Sequence, residues 1–275
     1  MARHFPFCYN GGRKKIGGRF MSILVVNGLK KIYVSRFGTT KTEALKKVDF
    51  SVEEGEYVAI MGESGSGKTT LLNIIAALDK PTAGSVLLDG KDIAKVKDSE
   101  LAEFRRNNLG FVFQDFNLLD TFTVEDNIFL PLVLAGKNYK QMSEKLKPIA
   151  ANLGITEILK KYPYEISGGQ KQRAAVARAL ITNPKLVLAD EPTGALDSKN
   201  SKILMKTFEL MNESLGSTIL AVTHDAVVGS YAGRVLFLKD GKIWNELVRG
   251  DRDRREMYAE ILSVTAALGG DADVF

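Results

Sequence analysis

The sequence predicts an α/β protein with a partly parallel sheet and a helical segment inserted between its strands. Three observations support this prediction. Strand-like apolar runs lie in both halves of the chain, a glycine-rich loop joins one of them to a helix, and residues 99–180 show a mainly helical pattern with lysine and glutamate on the polar faces. Because strands flank these residues on both sides, we expect the helical region to form an inserted subdomain.

The strands before the insert are predicted from apolar and β-branched runs. They span residues 22–27, 47–52, 57–61 and 85–89. Glu54-Gly55 supplies the turn between the second and the third of these strands. A buried helix is expected from residue 68 to residue 78, and Pro81 and Gly84 end that unit.

Strand patterns return after the insert. They span residues 186–189, 218–222 and 235–238, and residues 239–242 predict a hairpin turn after the last of them. No internal repeat is visible. The chain contains one glycine-rich phosphate-type loop rather than two.

The composition is that of an ordinary globular protein, with 45% hydrophobic and 26% charged residues. No uncharged run approaches the ~20 residues of a membrane-spanning helix, so we expect that the chain does not cross a bilayer by itself. The single cysteine, Cys8, indicates a reducing environment. The net charge of +5 is interpreted as favouring solubility, and a basic face toward anionic lipid or nucleic acid is the alternative.

The first twenty residues differ from the rest of the chain. Residues 1–20 contain four glycines and several basic residues but no periodic apolar pattern, and a strand-like run begins just after Met21. We expect either a disordered extension or a true start at Met21.

The tail, residues 246–275, is first dense in charge and then helical in pattern. The apolar face of the predicted helix consists of Met257, Ile261, Leu262, Val264 and Leu268. Gly269-Gly270 is expected to stop the helix. Two interpretations remain open for it: packing on the core, or docking to a partner.

A phosphate-binding loop is predicted at residues 62–69. The segment GESGSGKT matches G-x-x-x-x-G-K-[ST] in full, and an apolar strand and a helix flank it. Glycines let the backbone wrap a phosphate, and the helix amino end adds partial positive charge. We expect Lys68 to neutralise β- and γ-phosphate oxygens and the Thr69 hydroxyl to bind Mg²⁺. The candidate phosphate-binding residues are Gly62, Ser64, Gly65, Ser66, Gly67, Lys68, Thr69 and Thr70.

A second acidic element follows the apolar strand 186–189. Asp190 is placed to hold Mg²⁺, directly or through water, and Glu191 is placed to polarise an attacking water. The predicted reaction is in-line phosphoryl transfer to water, in which positioning and charge stabilisation dominate. For two adjacent acids taken alone, a solvated turn is the alternative, and the phosphate loop argues against it.

Residues 166–173, ISGGQKQR, resemble the signature motif of the ATP-binding cassette (ABC) ATPases, usually written LSGGQ, with Ile166 replacing the leucine. Ser167 is expected to cap a helix that starts at Gly168 or Gly169, and this helix end is a second anion-binding candidate. Two phosphate-binding ends in one chain indicate a composite site between two chains.

Further residues resemble motifs of the same family in the same order over residues 22–245. Gln114 resembles the Q-loop glutamine that senses Mg²⁺ and the attacking water, in a loop that contacts the permease. Asp197 resembles the D-loop aspartate, and His224 resembles the switch histidine that contacts the γ-phosphate. Tyr33 resembles the aromatic residue that stacks on adenine, although a core tyrosine is the alternative.

The resemblance implies a P-loop NTPase core with an antiparallel β subdomain and an inserted helical subdomain, about 99–180, in an ATPase domain of residues 21–245. It also implies ATP and Mg²⁺ as ligands. Two chains are expected to form a head-to-tail homodimer that sandwiches two ATP molecules. In this dimer the signature residues of one chain face the phosphate bound by Lys68 of the other, and these residues are Ser167, Gly168, Gly169 and Gln170.

A single cassette without a membrane span implies a separate integral membrane permease, with this chain peripheral on the cytoplasmic face. Residues 113–119 and 192–198 resemble the group that drives macrolide export, lipoprotein release and peptide resistance, and residues 118–128 look most like its bacitracin-type subfamily. The other class considered is a soluble ABC ATPase acting on nucleic acid or ribosomes. We expect no nucleic-acid partner, because no sustained basic stretch with interleaved aromatics appears.

Overall fold

The computed structural model describes residues 15–16, 19–20, 22–35, 40–113, 115–194 and 196–269. The strands are β1 (Lys15–Ile16), β2 (Arg19–Phe20), β3 (Ser22–Val34), β4 (Lys41–Glu53), β5 (Tyr57–Met61), β6 (Ala83–Leu88), β7 (Lys91–Asp92), β8 (Leu109–Val112), β9 (Leu186–Asp190), β10 (Ile219–Val222), β11 (Arg234–Lys239) and β12 (Lys242–Val248). The helices are α1 (Lys68–Ile75), α2 (Asp98–Asn108), α3 (Val124–Val133), α4 (Tyr139–Leu153), α5 (Gly168–Leu180), α6 (Ser198–Leu215), α7 (Ala226–Gly229) and α8 (Arg254–Leu268). Within these ranges no helix has both the length and the apolarity to cross a membrane. Most of the predicted N-terminal extension lies outside the described residues.

The largest sheet of the described residues has six strands in the order β12-β11-β5-β10-β9-β8 and is called the main sheet. Five of its strands are parallel, and β12 pairs antiparallel with β11 at one edge through the predicted turn at Asp240–Gly241. All residues of β5 and β10 are buried, which explains why both strands are continuous apolar runs. The prediction of a partly parallel α/β core is confirmed.

The antiparallel subdomain is a second sheet in the order β4-β3-β6-β7. Its buried residues share one apolar cluster with α1 and with one face of the main sheet. β3 and β4 each contain 13 residues and extend beyond the predicted 22–27 and 47–52. Pairing between the two strands keeps polar residues such as Lys31 and Thr42 extended, and their local sequence alone gives no apolar signal.

The interval 99–180 is not helical throughout. It contains β8, which pairs in parallel with β9 at the edge of the main sheet. The helices α3, α4 and α5 follow after residue 113. The strand escaped prediction because a run of four apolar residues has no periodicity that separates a strand from a buried helix.

The C-terminal helix α8 packs on the core. Met257, Ile261 and Leu268 are buried in the same apolar cluster as α3, α4 and α5, and Val264 is partly buried against it. Leu262 is 46% exposed, so its predicted place on the buried face is wrong. Of the two interpretations of the tail, packing on the core therefore describes the helix face that contains Met257, Ile261 and Leu268.

Candidate active site

The phosphate-loop candidates lie between β5 and α1. Gly62, Ser64, Gly65, Ser66 and Gly67 are in the loop, and Lys68, Thr69 and Thr70 form the first turn of α1. Gly67 has a φ of 105°, and a Cβ at this position would lie 2.6 Å from the carbonyl oxygen of Ala44. Both the backbone conformation and the close approach of β4 therefore require glycine here.

Lys68 folds back over this loop. Its ammonium donates to the carbonyl oxygens of Gly62 at 2.7 Å and Glu63 at 2.8 Å. Burial lowers the pKa of Lys68, and the negative charges of Glu191 and Asp190 oppose this shift. The loop thus holds a cation within electrostatic reach of both carboxylates.

The amino end of α1 is open to an anion. Its N-cap, Gly67, provides no side-chain hydrogen bond, and the first turn contains no acidic residue. The Ser66 hydroxyl is buried and has no hydrogen-bond partner in the part of the chain that the structure describes. Uncapped amides, the helix dipole and an unpaired hydroxyl together fit a phosphate group.

The other polar candidates reach this loop because of strand register. Ile60, Val222 and Asp190 lie side by side on β5, β10 and β9. The chain continues from these strands at the same edge of the sheet, into the phosphate loop, into Thr223 and His224, and into Glu191. Ligands of parallel α/β sheets bind at this carboxyl edge.

Asp190 and Glu191 have different environments despite being adjacent. Burial, and then the charge of Glu191, raises the pKa of Asp190, while Lys68 opposes the shift. Glu191 has a φ of 42°, a left-handed conformation that costs about 1–3 kcal/mol for a non-glycine residue. Its N–H donates to the Val222 carbonyl oxygen at 2.9 Å, so the sheet maintains this conformation.

Both carboxylate oxygens of Glu191 are held by the segment after β10. His224 Nδ1 lies 2.8 Å from Glu191 Oε1, and the Thr223 hydroxyl donates to Oε2 at 3.0 Å. Thr223 is fully buried. Sequence reasoning missed Thr223, because a threonine after a strand is common and its partner is 32 residues away.

The signature segment forms the amino end of α5, as predicted. Ser167 Oγ accepts from the Gln170 N–H at 3.3 Å, and the Gln170 side-chain oxygen accepts from the Ser167 N–H at 2.9 Å. This reciprocal capping box begins the helix at Gly168. Gly169 packs against α6 so closely that a Cβ would lie 2.1 Å from Asn200 Oδ1.

Asp197 caps α6. Its carboxylate accepts from the Asn200 N–H at 2.8 Å and from the Asn200 side-chain amide at 2.7 Å. These hydrogen bonds, from the backbone first, lower the pKa of Asp197. Because Asn200 also packs on Gly169, the Asp197 segment and the signature helix contact each other within one chain.

A second connection of the signature helix was not anticipated. Gln172, which is fully buried, donates from Nε2 to the Pro192 carbonyl oxygen at 2.8 Å. Pro192 directly follows Glu191, so α5 is tied to the acidic segment. The signal in the sequence was weak, since glutamine inside a helix is ordinarily a surface residue.

Tyr33 lies near the end of β3 and is 42% exposed, so it is not a core tyrosine. Its hydroxyl donates to Asp79 Oδ2 at 2.8 Å. Gln114 lies outside the described residues, between Phe113 and Asp115.

The predicted residues thus form two groups. Lys68, Asp190, Glu191 and His224 converge at the carboxyl edge of the main sheet. Ser167, Gln170 and Asp197 cap their own helices. In the described ranges, no hydrogen bond or ion pair joins residues 167–170 or 197 to the phosphate loop.

Comparisons with known proteins agree with this geometry. The ABC transporter family model matches residues 45–194. The chain is 52% identical to the ABC transporter ATP-binding protein YxdL of Bacillus subtilis (strain 168), over 92% of this chain and 96% of YxdL. It is 49% identical to the bacitracin export ATP-binding protein BceA of Halalkalibacterium halodurans, over 91% of this chain and 98% of BceA.

Among solved structures, the dimeric post-hydrolysis state of the ATP-binding cassette MJ0796 bound to ADP and Pi is similar, with a TM-score of 0.74 and 39% identity. The match covers 82% of this chain and 98% of that one. The chain is also 46% identical to the macrolide export ATP-binding/permease protein MacB of Campylobacter jejuni, over 74% of this chain and 31% of MacB. It is 43% identical to the lipoprotein-releasing system ATP-binding protein LolD of Geobacter metallireducens, over 81% of this chain and 98% of LolD. With its phosphate loop, acidic strand end and capped signature helix, this chain belongs to the ABC transporter ATP-binding family.

Proposed function

We propose that the chain hydrolyses ATP at the carboxyl edge of its main sheet and thereby drives a separate membrane permease. The observation that carries the proposal is the convergence of Lys68, Asp190, Glu191 and His224 at that edge. ATP binding and hydrolysis are properties of the family to which the chain belongs. The roles of individual residues are part of the proposal.

Lys68 and the amides of the phosphate loop would bind the β- and γ-phosphates of ATP. Glu191 would orient and polarise the attacking water, and its two held oxygens support a fixed direction for this carboxylate. His224, whose ring already contacts Glu191, would contact the γ-phosphate. Gln114 would sense the attacking water.

The residues present fit Mg²⁺. Thr69, Asp190 and Gln114 provide a hydroxyl, a carboxylate and an amide oxygen, which are hard ligands of the kind that Mg²⁺ prefers beside substrate phosphates. Lys68 stabilises the ionised form of Asp190 that such an ion requires. When bound, Mg²⁺ would neutralise charge that develops on the phosphates.

A second copy of the chain would complete the site. Ser167, Gly168, Gly169 and Gln170 would face the γ-phosphate held by Lys68 of the partner, and Asp197 would reach across the dimer. Within one chain the capping box leaves the first amides of α5 at an uncovered helix end, which supports an anion contact from outside. The ATP-binding cassette MJ0796, similar in structure to this chain, was solved as a dimer.

A permease segment is proposed to dock in an open groove of about 380 Å³ beside the insert. The groove lies between the main sheet edge and α3, and its lining includes Phe111, Phe113, Leu130 and Arg178. Apolar walls with guanidinium groups fit an amphipathic protein segment that carries acidic residues. This arrangement would place the chain at the cytoplasmic face of the membrane.

The proposed cargo class is bacitracin-type antimicrobial peptide, for export or resistance, and the name of the similar protein BceA, which states bacitracin export for that protein, supports it. Lipoprotein release and macrolide export are the second candidates, supported by the similarity to LolD and MacB.

The test is to purify the chain from its native membrane with the protein that accompanies it and reconstitute the complex in lipid. We expect ATP hydrolysis that bacitracin changes at least twofold, and we expect Glu191→Gln to abolish it. Glu213→Gln, on the exposed side of α6, is the control. Hydrolysis that macrolide or lipoprotein changes, and bacitracin does not, would move the cargo to the second candidates.

A further inference from the structure

Tyr33 belongs to a three-residue polar cluster at the outer end of β3. Its hydroxyl donates to Asp79 Oδ2 at 2.8 Å, and Lys31 Nζ donates to Asp79 Oδ1 at 2.6 Å. Lys31 Nζ also donates to the Lys80 carbonyl oxygen at 2.8 Å. Asp79 therefore accepts a hydrogen bond from Tyr33 on one carboxylate oxygen and from Lys31 on the other.

The cluster also covers one face of the Tyr33 ring. Lys31 Nζ lies over this ring, 4.8 Å from its centroid, within the range of a cation–π interaction. Lys31 and Tyr33 are two residues apart on β3, and alternate residues of a strand point to the same side. The lysine thus lies over one ring face, while Tyr33 as a whole is 42% exposed.

Asp79 is placed by the chain reversal that follows α1. The N–H groups of Leu78 and Asp79 both donate to the Asn73 carbonyl oxygen, at 2.9 and 3.2 Å, after Ala77 adopts a φ of 56°. This reversal brings Asp79 back beside α1, the helix that starts in the phosphate loop. The cluster therefore connects Tyr33 of the β subdomain to the phosphate-binding unit.

The contacts between Lys31 and Asp79 are largely shielded from solvent. The side chains of Lys31 and Asp79 are 12% and 29% exposed, whereas the nearby ion pair between Lys80 and Asp98 is 62% and 79% exposed. Although burial opposes it, the hydrogen bonds from Lys31 and Tyr33 hold the pKa of Asp79 below its ordinary value. Asp79 is thus charged at neutral pH and holds both partners in place.

We propose that Asp79 and Lys31 are positioning residues that hold the Tyr33 ring with one face covered by the lysine ammonium and the other presented to the adenine base. The inference rests on the proposed function, in which Tyr33 stacks on adenine. Because the ring is oriented before the nucleotide arrives, less side-chain entropy is lost on binding. In this proposal Asp79 and Lys31 act on the nucleotide only through the Tyr33 ring.

The experiment measures binding of ADP and of inorganic pyrophosphate to the full chain by titration calorimetry. The two probes differ by the adenosine, and neither is hydrolysed. We expect Tyr33→Phe to weaken ADP binding about threefold to tenfold, the range for loss of one hydrogen bond, with pyrophosphate binding unchanged. Asp79→Ala should weaken ADP binding at least as much, because it removes the hydrogen bonds from both Tyr33 and Lys31, and should also leave pyrophosphate binding unchanged. Tyr33→Ala should weaken ADP binding about fivefold to 150-fold, as expected for loss of base stacking.

A variant that carries both Asp79→Ala and Tyr33→Ala distinguishes loss of Tyr33 positioning from a general loss of structure. In the Tyr33→Ala background, Asp79→Ala is expected to have no further effect on ADP binding, because the ring it positions is gone. Asp98→Ala is the matched control, since Asp98 pairs with the neighbouring Lys80 but not with Tyr33. This control should bind both probes as the unaltered chain does.

Three results would overturn the inference. Equal losses for ADP and pyrophosphate in Asp79→Ala would mean that Asp79 acts on the phosphate loop. An unchanged ADP affinity in Asp79→Ala and Tyr33→Phe, with a loss in Tyr33→Ala, would remove the positioning role and leave the proposed stacking intact. An unchanged ADP affinity in Tyr33→Ala would remove the stacking role of Tyr33 as well.

Discussion

The carboxyl edge of the main sheet and the amino end of α5 both offer groups that suit a phosphate, but they differ in how complete they are. At the sheet edge, Lys68, Asp190, Glu191 and His224 already interact within one chain. At α5, the Ser167 hydroxyl already accepts a hydrogen bond from the Gln170 N–H of its own helix. The groups at the sheet edge are therefore brought together by the fold of one chain, whereas the proposed role of the α5 end depends on a second copy.

The largest expected effect tests the first region. Glu191→Gln keeps the shape of the side chain but removes the carboxylate that we propose polarises water, so hydrolysis should fall about 10²- to 10⁴-fold. ATP binding should persist, and ATP should trap a dimer detectable by size-exclusion chromatography. Phosphate release by the Glu213→Gln control should remain normal. Near-normal hydrolysis in Glu191→Gln would exclude Glu191 as the general base.

The next effect concerns nucleotide affinity at the same edge. Lys68→Ala removes the proposed charged donor to the phosphates and should weaken ATP binding about 10- to 150-fold, as expected for hydrogen bonds to charged groups. Calorimetric titration measures this loss. Lys206→Ala, at an exposed position of α6, should bind normally. An unaltered ATP affinity in Lys68→Ala contradicts the phosphate-loop assignment.

The third prediction compares two helix caps. Ser167→Ala and Thr123→Ala each remove a capping-box side chain, from α5 and α3 respectively, and each should cost about 1 kcal/mol in the free energy of unfolding. Only Ser167→Ala should also reduce ATP-dependent dimerisation, about tenfold for one hydrogen bond to a charged phosphate. If both variants dimerise equally well, the signature end has no role beyond its cap.

The smallest effect concerns Thr223, which holds Glu191. Thr223→Val removes the hydroxyl with little change in volume and should lower kcat about threefold to tenfold while leaving the Kd for ATP unchanged. Thr223→Ser, which keeps the hydroxyl, should restore most of the rate. A steady-state assay alongside a thermal melt distinguishes a loss of positioning from a loss of stability. Equal rates for the valine and serine variants would show that the hydrogen bond is unimportant.

Much of the fold and of the family could be predicted from residues that are close together in the sequence. The phosphate loop, the Ser167 cap and the turn at Asp240–Gly241 depend on glycine conformations and on hydrogen bonds within three or four residues. Such features can be predicted from the identity of a few neighbouring residues. The parallel core followed from apolar runs of strand length.

Contacts between residues that are far apart in the sequence could be assigned only from the folded chain. Thr223 with Glu191, Gln172 with Pro192 and Tyr33 with Asp79 are 32, 20 and 46 residues apart. β8 was likewise recognised by its pairing with β9, since four apolar residues fit a strand or a helix equally well. Local sequence determined the phosphate loop, the helix caps and the buried apolar strands, because it sets backbone preference and capping. Strand register and chain reversal determined the contacts, because no nearby residue specifies a partner across the fold.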